Sequence, residues 1–89
     1  MIARVVVMPK PAVNDPQGMT VRQALRALGF DEVADVRVGK YLEVTLEEVE
    51  TEQARRRLQE MCERLLANQV VEDFRFDLDP AGHAGSLPS

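Results

Sequence analysis

Residues 33–46 read VADVRVGKYLEVTL, and how this stretch divides decides the fold. Val36 and Val38 alternate with Asp35 and Arg37; Leu42, Val44 and Leu46 alternate with Tyr41, Glu43 and Thr45. Alternation with period two marks a strand that turns one face to a core. Gly39-Lys40 stands between the two runs, so the simplest reading is two antiparallel strands joined by a tight hairpin. Gly-X fits a type II′ turn there, although one glycine does not fix the turn type.

On the N-terminal side, Ala3 to Met8 is rich in β-branched residues and stops at Pro9, which reads as a strand. A loop follows, in which Asp15-Pro16-Gln17-Gly18 has the residue pattern of a type I turn. Thr20 is the expected start of a helix, because Thr20 and Gln23 form a T-x-x-Q capping box. Val21, Ala24, Leu25 and Leu28 fall on one helical face, and Gly29 is the expected stop.

On the C-terminal side, Thr51 to Ala67 carries a continuous apolar stripe of Ala54, Leu58, Met61, Cys62, Leu65 and Leu66. Glu52 with Arg56 and Glu60 with Arg64 are favourable pairs four residues apart. Val71 to Leu78 reads as a last strand with Phe74, Phe76 and Leu78 on one face. The expected class is α+β in the order β-α-β-β-α-β: an antiparallel sheet with two helices on one face, the ferredoxin-like or split-βαβ arrangement. One domain over residues 1–79 accounts for the folded part, and Pro80 to Ser89 has the composition of a disordered tail.

The chain has 89 residues, of which 45% are hydrophobic and 29% charged, an ordinary globular composition for one domain. A core this small is marginal, and the sheet face left open by the helices includes Tyr41, Thr45 and part of Val5-Val6-Val7. A homodimer or tetramer is therefore expected. The net charge of −4 argues against a general nucleic-acid binder. No apolar run is long enough to cross a bilayer, and the N-terminus lacks the pattern of a signal peptide. With Cys62 as the sole cysteine, no intramolecular disulfide can form, which fits a cytoplasmic protein.

Candidate chemistry is sparse. His83, the sole histidine, lies in the expected tail, away from any base or nucleophile. Cys62 falls on the apolar stripe of the second helix, where a cysteine behaves as a small hydrophobe. The carboxylates Asp31-Glu32, Glu47-Glu48-Glu50-Glu52 and Glu72-Asp73 show no metal-loop spacing. Arg55-Arg56-Arg57 spreads around a helix and makes no flat phosphate-binding stripe. Neither glycine-rich nucleotide fingerprint is present. No catalytic, cofactor-binding or metal-binding residue is assigned.

Three segments stand in a telling order: Asp15-Pro16-Gln17-Gly18, Val33 to Lys40, and Met61 to Asn68 running on to Glu72-Asp73-Phe74. Together they resemble the PurS family, the small subunit of multi-subunit phosphoribosylformylglycinamidine synthase. The resemblance spans about Val5 to Leu78; Asn14 and Gln69 stand where the family commonly has an apolar residue and a proline. It implies a non-catalytic subunit of a complex for purine biosynthesis. Its partners would be a large synthetase subunit, which uses ATP and magnesium, and a glutaminase subunit that supplies ammonia. The same scaffold also suits a small-molecule-binding regulatory module, or a stand-alone enzyme using carboxylates and Lys40, because a fold does not fix a function. For partner contact the expected surface is the Asp15–Gly18 turn with Gly39 and Lys40. Gln17 and Lys40 are the members whose side chains a turn leaves free to act outward.

Overall fold

The computed structural model describes residues 1–47 and 49–80. The elements are β1 (Ile2–Pro9), α1 (Pro16–Ala27), β2 (Lys40–Thr45), α2 (Thr51–Met61) and β3 (Glu72–Asp79). A π-helical turn, Cys62–Leu66, continues α2. Expected disorder over the tail, and His83 with it, lies outside the described residues, as does Glu48.

β1 is the centre of a three-stranded antiparallel sheet in the order β2-β1-β3. Its register sets Val5 between Leu42 and Phe76, and Ala3 between Val44 and Leu78. Those positions share the face that α2 covers. Ala3, Val5 and Val7 meet Leu58 and Cys62 there, all fully buried, with Leu42, Val44, Met61, Leu66, Phe74, Phe76 and Leu78 around them. The β1 Val run thus divides by period two: Val5 and Val7 go inward and Val6 to the open face.

The α+β class, with an antiparallel sheet and two helices, is as the sequence indicates. The strand count is not. Residues 33–39 belong to no strand, the order is β-α-β-α-β, and there is no hairpin at Gly39-Lys40. A type II′ turn needs a positive φ at its glycine, yet Gly29 is the one glycine with positive φ among the described residues. Gly39 serves a close approach instead: a Cβ there would collide with the Val7 carbonyl and the Met8 sulfur.

The first helix also starts earlier than the capping box suggested. Asp15-Pro16-Gln17-Gly18 is the helix N-terminus rather than a turn before it. Asp15 caps by accepting the Gly18 amide at 2.9 Å, and Pro16 takes the first helical position, where its missing N–H costs nothing. Thr20, inside the helix, donates to the Pro16 carbonyl instead of capping. The stop is as expected: Gly29, at φ +100°, lets its own amide reach Arg26 O and that of Phe30 reach Leu25 O, a Schellman closure.

Only α2 covers the sheet. α1 has at most marginal contact with the other elements, and Gly18 is its single buried residue. α1 lies along the run that returns from its tip, as Arg26 donating to the Val33 carbonyl shows. Helix and return run form an arm, and the molecule measures 49 × 30 × 14 Å.

The end of α2 holds one more departure. Ala67 N donates to Cys62 O, five residues back, so the last turn is wider by one residue. That insertion turns Leu65 off the apolar stripe, leaving it 82% exposed, and brings Ala67 into the core.

Candidate functional site

Three of the five expected contact residues, Asp15, Gly18 and Gly39, build the junction where the arm joins the sheet. The organiser is Asp15. One carboxylate oxygen caps α1 through Gly18 N, and the other accepts the amide of Val38 at 2.8 Å. Gly18 lies so close to the Val36 carbonyl that a Cβ would not fit, so the helix start and residues 36–38 are in backbone contact. Gly39 then passes tightly against Val7 and Met8 as the chain enters β2.

Arg37 completes the junction. Its guanidinium donates to three successive carbonyls at the end of β1: Pro9 at 3.1 Å, Lys10 at 2.6 Å and Pro11 at 3.2 Å. It also stands 4.0 Å from the Asp15 carboxylate. The amides of Val38 and Gly18 hold the Asp15 carboxyl below its ordinary value, and the Arg37 charge adds to this against the opposing effect of burial. Sequence reasoning missed Arg37 in this role. Placed between two valines it reads as the solvent face of a strand, and no local pattern announces a guanidinium that binds carbonyls 26 to 28 residues away.

Gln17 and Lys40 are exposed at the rim of this junction. Neither side chain makes a hydrogen bond or ion pair among the described residues, so both are available to another molecule. The junction therefore has a rigid base of Asp15, Gly18, Arg37 and Gly39 and two long polar side chains on its surface.

The open sheet face is the other place with shape. A groove of about 240 Å³ is lined by Arg4, Val6, Tyr41, Arg75, Phe76 and Asp77. Arg4 binds Asp79 at 3.0 Å with both side chains largely shielded, and lies 3.9 Å from Asp77. Tyr41 donates to Glu43 at 3.1 Å; burial, then that bond, pushes its phenol up.

Cys62 is fully buried in the core. Burial, with the Glu63 charge adding, pushes its thiol up, so it stays protonated and packs as a hydrophobe. Among the described residues no three His, Cys, Asp or Glu side chains could hold a metal ion. No helix among them is long and apolar enough to cross a membrane. In the charge pairs on α2, Glu60 meets Arg64 at 3.8 Å, whereas Glu52 reaches Arg55 at 3.9 Å rather than Arg56. Arg55 stands one residue closer to Glu52, a spacing that also shares a helix face.

Comparison with known proteins gives consistent findings. The PurS family model, described as phosphoribosylformylglycinamidine (FGAM) synthase, matches residues 2–84. Phosphoribosylformylglycinamidine synthase subunit PurS of Bacillus subtilis is 45% identical over 76 residues, 85% of this chain and 89% of that protein. The crystal structure of PurS from Methanocaldococcus jannaschii, a subunit of formylglycinamide ribonucleotide amidotransferase, superposes with TM-score 0.77 at 35% identity, covering 88% of this chain and 94% of that one. A chain in the structure of PurLQS from Thermotoga maritima superposes with TM-score 0.74 at 29% identity, covering 86% of this chain and 96% of its own length.

Proposed function

This chain belongs to the PurS family, and we propose that it is the non-catalytic small subunit of phosphoribosylformylglycinamidine synthase in purine biosynthesis. The observation that carries this reading is the family match over residues 2–84 on a fold shared at 35% identity with a solved PurS. PurLQS of Thermotoga maritima supports partners of two further kinds, a large synthetase subunit and a glutaminase subunit.

In this role the chain binds neither ATP nor magnesium; both belong to the large subunit. It contributes alignment. Ammonia released by glutamine hydrolysis is diluted and protonated in open water, so the two catalytic subunits must be held together for it to pass between them. A small rigid body that touches both raises the effective concentration of the correct arrangement. The chain acts in the cytoplasm and as a homo-oligomer, the small core and the unpacked arm supporting the latter. Gln17 and Lys40, exposed on the rigid junction, are contact residues for one of the larger subunits.

The test is reconstitution. Glutamine-dependent amidation is measured with the purified synthetase and glutaminase subunits, with and without this chain. The expected result is strong dependence on the chain, with no turnover by the chain alone. Full coupled activity in its absence would refute the role.

A further inference from the structure

We infer that the crevice between the end of β2 and the flank of α2 is a binding site for a free α-amino acid with an aliphatic side chain. The site goes beyond the role proposed above and does not depend on it.

The crevice exists because a single helix covers three strands. α2 packs on β1 through Leu58 and Cys62, and the β2 flank is left only partly covered, with Leu42, Val44, Leu46 and Met61 partly buried. A space of about 220 Å³ remains there, walled by Leu46, Val49, Ala54 and Met61 and rimmed by Glu47, Gln53 and Arg57. Backbone bonds hold both sides in place. Leu46 N donates to Met1 O at 2.8 Å, and Ala54 N to Glu50 O at 2.8 Å. Gln53, Arg57 and Met61 follow one another by steps of four, so they form one ridge of α2 along the crevice.

Charge selects the ligand. Glu47 and Arg57 line the same space with opposite signs, yet they form no ion pair with each other or with any other described residue. The Gln53 amide makes no hydrogen bond among the described residues either. A simple anion would satisfy Arg57 and meet Glu47 as a like charge; a simple cation would do the reverse. A zwitterion satisfies both. Its carboxylate takes the Arg57 fork and the Gln53 amide, and its ammonium takes Glu47. A peptide carries its terminal charges far apart and would not bring both to one site.

The walls select the side chain. Among Leu46, Val49, Ala54 and Met61, only the Met61 thioether can accept a hydrogen bond, and weakly. An aliphatic side chain gains by burial against them, whereas a carboxamide would lose its water without a replacement. The volume also lies below the range of about 300–1,000 Å³ that takes drug-sized ligands, which fits a single amino acid.

The experiment uses the full chain, isotope-labelled and titrated with L-leucine while amide shifts are followed by NMR. Saturable shifts centred on residues 46–61 are expected, with a Kd of about 1 mM or tighter. Leucinamide lacks the carboxylate and isocaproate lacks the ammonium, so each should bind at least about tenfold more weakly. Glycine should not saturate, and L-glutamine should bind more weakly than L-leucine. Arg57→Gln and Glu47→Gln change exposed side chains, so each should keep the wild-type circular dichroism while weakening L-leucine about tenfold or more. No saturable shift in the wild type, shifts confined to other residues, or equal binding of leucinamide and isocaproate would overturn the site. Tighter binding of L-glutamine than of L-leucine would overturn the aliphatic class.

Discussion

The Asp15 carboxylate accepts the Val38 amide at 2.8 Å, closing a stretch of 23 residues that holds all of α1 and its return. The same carboxylate caps the helix through Gly18. One side chain therefore both starts the helix and fixes where its far leg rejoins the sheet.

Removing it should loosen both ends of the arm. Asp15→Ala is expected to lower Tm by about 4–8 °C, the shift that loss of one good helix cap produces in a domain of this size. Amide exchange localises the effect: α1 and Val38 should exchange faster, while the β1–β3 ladder keeps its protection. A uniform loss of protection over the sheet would mean that the junction supports the whole fold.

The pH dependence follows from the same geometry. The Val38 and Gly18 amides, with Arg37 behind them, hold the folded Asp15 carboxyl below its ordinary value. A lowered folded value gives stability that is fully present above the unfolded value, about 3.9, and is lost as pH falls through the folded one. The stability gap between wild type and Asp15→Asn, measured by urea unfolding, should be constant from neutral pH to about pH 5 and narrow in stronger acid. A gap unchanged down to pH 2 would show that the charge of Asp15 contributes nothing.

The glycines separate by mechanism. Gly18→Ala would push a methyl into the Val36 carbonyl, and Gly39→Ala into the Val7 carbonyl, both backbone atoms that cannot step aside. Each should cost about 1–3 kcal/mol, the range for overpacking. Gly29 has open space around it, but its φ of +100° strains any side chain, so Gly29→Ala should cost about 1–2 kcal/mol by backbone conformation alone. Gly29→Asn should recover part of that loss and Gly39→Asn none, because asparagine relieves a φ penalty but not a collision. Chemical unfolding of the five variants makes the comparison.

What the sequence disclosed and what it withheld have physical causes. Periodicity exposed α2, β2 and β3, since each buries one face; β1 showed in its β-branched run, and Cys62 and Leu58 could be placed in the core from their spacing. The end of α1 was legible because Gly29 has one strong use there. Its start was not: Asp-Pro-x-Gly serves a type I turn and a capped helix equally, and the choice depends on whether the next residues continue the helix. Val33–Val38 looked like a strand because its residues are those of a strand, but pairing is a property of the assembly around a segment. Leu65 left the core through a π-turn that leaves no mark in the spacing of apolar residues. Of the candidate site, Asp15, Gly18 and Gly39 were visible as special residues, yet their function as tethers and close approaches emerges only when residues 9–18 and 36–39 meet.

Gln17 and Lys40 remain the surface members of that site, and they test the docking role apart from stability. Both are exposed, and neither side chain shares in the bonds that build the junction. Gln17→Ala with Lys40→Ala should thus leave unfolding within about 0.5 kcal/mol of wild type. Binding is expected to suffer where folding does not. Gln17 offers an amide that donates and accepts, and Lys40 a mobile positive charge, so losing both should weaken association with the synthetase or glutaminase subunit by about tenfold. The Lys40 share should fall as salt rises through the physiological range, whereas the Gln17 share should not. Titration of wild type, both single variants and the double variant into each larger subunit, at two salt concentrations, separates the contributions. If coupled glutamine-dependent turnover and binding stay at wild-type levels, the docking surface lies elsewhere, with the outer face of α2 the next to be substituted.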